Sequence, residues 1–182
     1  MGNIIVASAN LDSAKKIGAV LRSAGYPVSA VCSSGAQLLH LTGHSYCGGV
    51  VVCDMRLADM PARELPRHTG GGYDFLYIVK GAPPAELEYP SLSTPLSRVR
   101  LVTCVNMLLC VSENIGLSLK ERMAGCGMEE PEIVARAKRL LMQQCNLSEP
   151  SAHRFLQKRS MDSGKKLCET AMVVFDTLHT GV

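Results

Sequence analysis

The chain opens on a short apolar run, "NIIVAS", that closes in small polar residues, the signature of a buried strand. The period then changes. "DSAKKIGAVLRSAGY" places Ala14, Ile17, Val20 and Leu21 on one helical stripe, with Gly25 as terminator. "PVSAVC" predicts a second strand and "GAQLLHL" a second helix. "GGVVVCD" is apolar at successive positions, as a strand covered on both faces requires. "YDFLYIV" predicts a fourth strand, and "SLSTPLSRVRLVTCVNMLLCV" a short strand running into a long helix. Strands alternating with helices predict an α/β fold built on a doubly wound parallel sheet. Residues 56–72 break the rhythm, because Pro61, Pro66 and Gly70 to Gly72 leave little room for a normal third helix.

The long helix is apolar on nearly every side, with Leu101, Val102, Val105, Leu108 and Leu109 joined by Met107 and Cys110. A helix covering only its own sheet needs one stripe. The second face predicts a partner helix from another copy, hence a homodimer, with deeper burial inside one domain as the alternative. The pattern turns polar in "SENIGLSLKER" and breaks at "AGCGMEEP", where Gly125, Gly127 and Pro131 mark a boundary. No sustained heptads support a long coiled coil. These features divide the chain into a domain over 1–112, a helical linker over 113–130 and a small all-α domain over 131–182.

That last domain predicts three short helices. Acids and Pro131 open the first, whose inward stripe is Ile133, Ala137, Leu140, Leu141 and Gln144. Ser148 caps the second, with Ala152, Phe155 and Leu156 inward. Asp162 is the expected cap of the third, along which Leu167, Ala171, Val174 and Leu178 recur.

Charge changes the picture more than composition does. The formal net charge of +3 is unevenly spread, since residues 1–132 sum to −1, residues 133–168 to +6 and the remainder to −2. Within the basic stretch, Arg154 and Lys158 are like charges at i, i+4, and Lys165 and Lys166 fall in the predicted first turn of the third helix. Both arrangements cost a helix a few tenths of a kcal/mol, roughly. A polyanion outside the protein makes them useful. Arg136 and Lys138 are further candidates on the first helix, and His153 and Gln157 are polar groups beside the basic ones on the second.

Other function classes fall away. No apolar run approaches about 18 residues, so no membrane span is expected. The N-terminus lacks the basic and apolar regions of a secretory signal, and its Met-Gly start reads better as the lead into a strand from residue 3 than as a myristoylation site, so a cytoplasmic location is expected. The eight cysteines show no C-x-x-C spacing and mostly sit in apolar runs, which predicts buried free thiols rather than a zinc site or disulfides. No Ser/His/Asp set, phosphate loop or metal-ligand cluster is present, so neither an enzyme nor a cofactor is expected.

Two segments carry family resemblance. "VVVCDMRLADMP" and "TPLSRVRL" resemble the third and fifth strands of the receiver domain of bacterial response regulators, which implies a receiver or flavodoxin-like sheet and sets Asp54 at the phospho-acceptor position. The family's other site residues are replaced. Ser8 and Ala9 stand where an acidic pair holds magnesium, Lys80 where the switch Ser/Thr lies, and Thr94 where a Lys precedes the Pro. A Lys80–Asp54 contact would place a fixed cation on the acceptor. "IVARAKRLLM", "LSEPSAHRFLQKRSM" and "KKLCETAMVV" resemble the ANTAR domain in order and spacing over roughly residues 124–178. The departures are Arg139, where the family commonly has Gly, and Ser151, where it often has an acid. The resemblance implies a regulator that binds hairpins in leader transcripts and prevents a terminator from forming, through Arg136, Lys138, Arg154, Lys158, Lys165 and Lys166. Three alternatives stay open: a regulator switched by phosphorylation, a DNA-binding regulator, and an adaptor that docks a sensor protein.

Overall fold

The computed structural model describes residues 3–43, 48–84, 87–112 and 129–180. Five strands form one sheet: β1 (Asn3–Ala7), β2 (Val28–Cys32), β3 (Gly49–Asp54), β4 (Tyr73–Lys80) and β5 (Ser91–Thr94), in the order β2-β1-β3-β4-β5. The pairings of β1 with β2, β1 with β3 and β3 with β4 are parallel, as the strand and helix alternation predicts. Strand β3 is buried from Gly49 to Cys53, and β4 from Tyr73 to Val79. A Val side chain buried this fully contributes about 1.5–3 kcal/mol, so these two strands anchor the sheet. Gly49 is required at its position, because a Cβ there would collide with the Asn3 carbonyl on β1 and its φ is +155°. The register sets Ala7 opposite Cys53 and Asp54 opposite Ile78. The C-terminal ends of β1, β3 and β4 therefore meet along one edge of the sheet.

Helix α1 (Leu11–Ser23) starts where the Asn10 side chain accepts from the backbone of Asp12 and Ser13, at 3.0 and 3.2 Å. It buries Ala14, Gly18 and Leu21, while Ile17 and Val20 from the predicted stripe are only half-buried. Helix α2 (Gly35–Gly43) is capped from a distance by Asp59, whose carboxylate accepts from Gly35 N at 2.6 Å and Ala36 N at 2.9 Å. The stretch 56–72 contains a single 3-10 turn, Ala62–Glu64, and the four-residue α3 (Leu65–His68), in keeping with its prolines and glycines. The Tyr77 hydroxyl pins that turn to the sheet by donating to the Ala62 carbonyl at 3.0 Å. No helix forms among the described residues between β4 and β5, where Pro83, Pro84 and Pro90 lie.

The remaining helices are α4 (Arg98–Ser112), α5 (Glu130–Cys145), α6 (Glu149–Ser163) and α7 (Leu167–Thr180). The chain falls into two compact units, one of residues 1–82 and 93–98, the other of 83–92 and 99–182. Nearly all of α4 and the β4–β5 loop thus group with the C-terminal helices, and residues 113–128 of the expected linker lie outside the described residues.

In the second unit α5 and α7 share the widest contact and α6 touches both. The inward stripe of α5 is Ile133, Ala137, Leu141 and Cys145, at regular i, i+4 steps. Leu140 and Gln144, expected inward, are half-buried, and Gln144 Nε2 donates to the Leu178 carbonyl at 3.0 Å. Ala152, Phe155 and Leu156 of α6 are buried, as are Ala171, Val174 and Leu178 of α7, whereas Leu167 is half-buried. Ser148 caps α6 by accepting from Ser151 N at 3.3 Å. Asp162 does not cap the next helix. It lies inside α6, which runs on to Gly164, a residue whose φ of +64° ends the helix in the left-handed region glycine tolerates. Lys165 and Lys166 consequently precede α7 rather than fill its first turn, and Lys166 N donates to Glu169 Oε2 at 3.2 Å.

The apolar second face of α4 is internal. Leu101, Thr103, Cys104, Val105, Met107, Leu108, Leu109 and Val111 are all buried within the single chain. Arg100 Nη2 donates to the carbonyls of Gln144 and Gln143, at 2.6 and 3.2 Å, placing a cation on the negative end of α5. Cys104 Sγ lies 3.4 Å from Cys145 Sγ, and Asn146 Nδ2 donates to the Ser91 carbonyl at 3.1 Å. The cysteines are free thiols where described, with Cys32, Cys53, Cys104, Cys145 and Cys168 buried and Cys110 half-buried. Burial raises the Cys32 pKa to about 11, and the Cys104 hydrogen bond, then burial, raises that of Cys145. Cys47 and Cys126 lie outside the described residues. No helix among the described residues is long and apolar enough to cross a membrane.

Candidate functional sites

The sheet edge collects the receiver-like positions. Asp54 ends β3 half-buried, and Ser8, fully buried one residue beyond β1, donates its hydroxyl to Asp54 Oδ2. Ser8 Oγ in turn accepts from Asn10 N at 3.1 Å, so the hydroxyl is held between Asp54 and the entrance to α1. Ala9 is exposed and offers a methyl group. Lys80 ends β4 exposed, two residues past the register partner of Asp54, and Thr94 ends β5 exposed, followed by a cis peptide bond to Pro95. Among the described residues Lys80 forms no ion pair with Asp54; the polar partner of that carboxylate is Ser8. Position within the sheet brings these side chains to one edge, but the contact expected of Lys80 is made by a neutral hydroxyl.

Asp59, five residues beyond Asp54, is a second carboxylate near this edge, and it is committed to α2. Its two backbone hydrogen bonds, Ala36 first and Gly35 second, hold its carboxyl below the usual range. Among the described residues no three His, Cys, Asp or Glu side chains are grouped so as to hold a metal ion.

The basic candidates divide by helix face. Arg154 and Lys158 stand one turn apart on the exposed side of α6, with Gln157 between them, and Lys165 and Lys166 follow in the turn to α7. His153 is half-buried. Arg136 and Lys138 are two residues apart on α5, about 200° around the helix, and so serve different faces. Arg136 pairs with Glu132 at 2.7 Å on its own helix. Lys138 pairs with Glu149 at 2.9 Å, and that hydrogen bond holds the Glu149 carboxyl below its ordinary range. Arg154 pairs with Glu88 of the β4–β5 loop at 2.5 Å. Lys158, Lys165 and Lys166 have no acidic partner among the described residues. Of the six basic candidates, these three are the ones without an ion pair among the described residues.

Arg159, within the same basic run, is not part of this face. Its guanidinium lies 5.5 Å from the Phe155 ring centroid and its side chain is 15% exposed, with burial lowering its pKa. Sequence reasoning missed Glu88, which no local pattern ties to α6. Met161, part of the segment that resembles the ANTAR domain, is an apolar residue left open to solvent at the end of the basic stripe. On the helical wheel of α6 it falls on the side opposite Ala152 and Phe155.

Residues 127–174 match the family model of the ANTAR domain, a span containing α5, α6 and most of α7. The fold is similar to that of a CheY-like response regulator receiver domain protein from Methanospirillum hungatei JF-1, at 19% identity and a TM-score of 0.52, covering 62% of this chain and 98% of that one. Full-length FixJ from B. japonicum aligns at 17% identity and a TM-score of 0.52 over 98% of each chain. The RcsB response regulator of Salmonella typhimurium aligns at 14% identity and a TM-score of 0.51, covering 91% of this chain and 93% of that one. At these identities the likeness concerns the fold alone. No curated protein matches the chain in sequence.

Proposed function

We propose that this chain, a receiver fold followed by a C-terminal ANTAR domain, is an RNA-binding transcription antitermination regulator whose receiver-like part is not switched by phosphorylation. It is a regulator rather than an enzyme. The observation that carries the RNA reading is the coincidence of two things: the ANTAR match over 127–174, and, inside it, Lys158 on the exposed side of α6 with Lys165 and Lys166 in the turn beyond, none of which finds an acid among the described residues. Such a face gains free energy from a phosphate backbone, because each contact releases condensed counterions. A hairpin offers that backbone together with unpaired loop bases, and holding the hairpin formed excludes a competing terminator.

The phosphorylation reading rests on Asp54. A phosphorylated carboxylate is a dianion beside other oxygens, and magnesium ordinarily balances it with several oxygen ligands. Ser8 and Ala9 bring one neutral hydroxyl and a methyl group, and the Ser8 hydroxyl already occupies Asp54. The residues present do not fit the ion. The receiver-like part is left to respond to a bound sensor protein.

The RNA reading is tested by titrating the full chain with tandem-hairpin RNA at several salt concentrations. Replacing Lys165 and Lys166 together with Ala is expected to weaken binding and to reduce the log–log salt slope by about 0.7–0.9 per lost phosphate contact. Circular dichroism should stay unchanged, since Lys166 is exposed and Lys165 half-buried at a turn. Unchanged affinity and slope would move the RNA surface elsewhere, and equal affinity for duplex DNA would argue against antitermination.

A further inference from the structure

Helix α6 turns one continuous stripe to solvent, and the stripe is not uniformly polar. Pro150, Arg154, Gln157, Lys158 and Met161 recur at helical spacing and all are exposed. Met161 is the extreme case at 81% exposure, against 58% for Val99, the next most exposed large hydrophobic residue among those described. A side chain so open adds nothing to the packing of the bundle. Its thioether is polarisable and its three rotatable bonds let it mould to a flat surface.

The surroundings of Met161 define what it can meet. Lys158 is one turn behind it, and Lys165 and Lys166 lie just beyond the helix end, all without acidic partners among the described residues. An apolar spot ringed by cations suits a ligand that is anionic along its backbone and apolar on its faces. Unpaired bases of an RNA loop meet that description, and proteins commonly stack them on exposed aromatic rings. This bundle exposes no Phe, Tyr or Trp ring. Residues 129–180 contain Phe155 and Phe175 but no Tyr or Trp; Phe155 is buried, Phe175 is half-buried, and the exposed ring of His179 lies 5.2 Å from that of Phe175.

Building on the RNA reading above, we infer that Met161 is the contact for an unpaired loop base, its thioether covering the base face while Lys158, Lys165 and Lys166 take the flanking phosphates. An apolar contact and a phosphate contact leave different signatures. Losing the first lowers affinity at every salt concentration alike, whereas losing the second also flattens the salt dependence.

The test uses the full chain as wild type, Met161→Ala and Met161→Leu. The probes are a tandem-hairpin RNA selected by the wild type from a pool with randomised loops, and the same stems closed by abasic loops. Met161→Ala should bind the intact loops about three- to tenfold more weakly, with an unaltered salt slope, and Met161→Leu should retain most of the affinity. On the abasic probe the wild type and Met161→Ala should bind alike. Circular dichroism and sedimentation of the variants should match the wild type. Equal affinity of wild type and Met161→Ala for intact loops would overturn the inference while leaving the RNA reading in place. So would an equal loss on the abasic probe, or an altered sedimentation coefficient with unaltered RNA affinity, which would assign Met161 to a protein contact. Failure to select any hairpin from the pool would remove the RNA reading and this inference with it.

Discussion

Two single side chains carry most of the meaning of this molecule's charged sites, and neither is a cation. The first is Ser8, whose buried hydroxyl donates to Asp54. The receiver resemblance made its identity legible as a departure, but its pairing with Asp54 depends on the register of β1 beside β3. Incubation with acetyl phosphate and magnesium should leave the intact mass of the protein unchanged; a stoichiometric phosphoryl gain that disappears in Asp54→Asn would contradict this. The second is Glu88, which engages Arg154 at 2.5 Å. Both partners are more than half exposed, at 66% and 58%, so the pair is worth about 0–1 kcal/mol. Replacing Glu88 with Gln frees Arg154 for phosphate and should raise hairpin affinity by at most about fivefold. The gain should shrink as salt rises and screens the exposed charges. A loss of affinity in the same titration would show that Glu88 supports the binding face.

At the scale of elements, the caps decide where helices begin, and they were unevenly legible. Ser148, read from the sequence as a cap, precedes its helix directly; Asn10 does the same for α1 but was not singled out. Asp59 caps α2 from 24 residues away, a relation no local pattern contains. Its two backbone hydrogen bonds hold its pKa below the ordinary value, so its contribution to stability is complete above the unfolded-state pKa and is lost as pH falls through the folded one. At neutral pH Asp59→Ala should therefore melt below the wild type, and the gap should close as pH drops below about 4. Thermal unfolding followed by circular dichroism at several pH values measures it; a gap independent of pH would mean the carboxylate charge plays no part. The α6–α7 junction shows the opposite kind of error. Asp162 satisfies the local rule for a cap, but Gly164, with its φ of +64°, is the better stop, and α6 runs past the aspartate to reach it.

For the whole molecule, the informative element is α4. Leu101, Val105 and Leu108, which the sequence offered to a partner helix, are fully buried within one chain. Leu108→Ala should then cost about 2–5 kcal/mol of stability through lost packing and a residual cavity. The melting temperature should fall while the sedimentation coefficient of the folded protein stays as in the wild type. Dissociation of a dimer by this substitution would restore the helix as an interface. The sequence by itself determined the sheet, the three C-terminal helices and their resemblance to the ANTAR domain, because period, punctuation and motif spacing are local quantities that a linear chain displays. Only the tertiary structure decided that α4 and the β4–β5 loop join the C-terminal unit, that Ser8 rather than Lys80 meets Asp54, and that Glu88 meets Arg154. Those outcomes depend on which distant side chains compete for one partner in three dimensions, and residue spacing along the chain does not encode that competition.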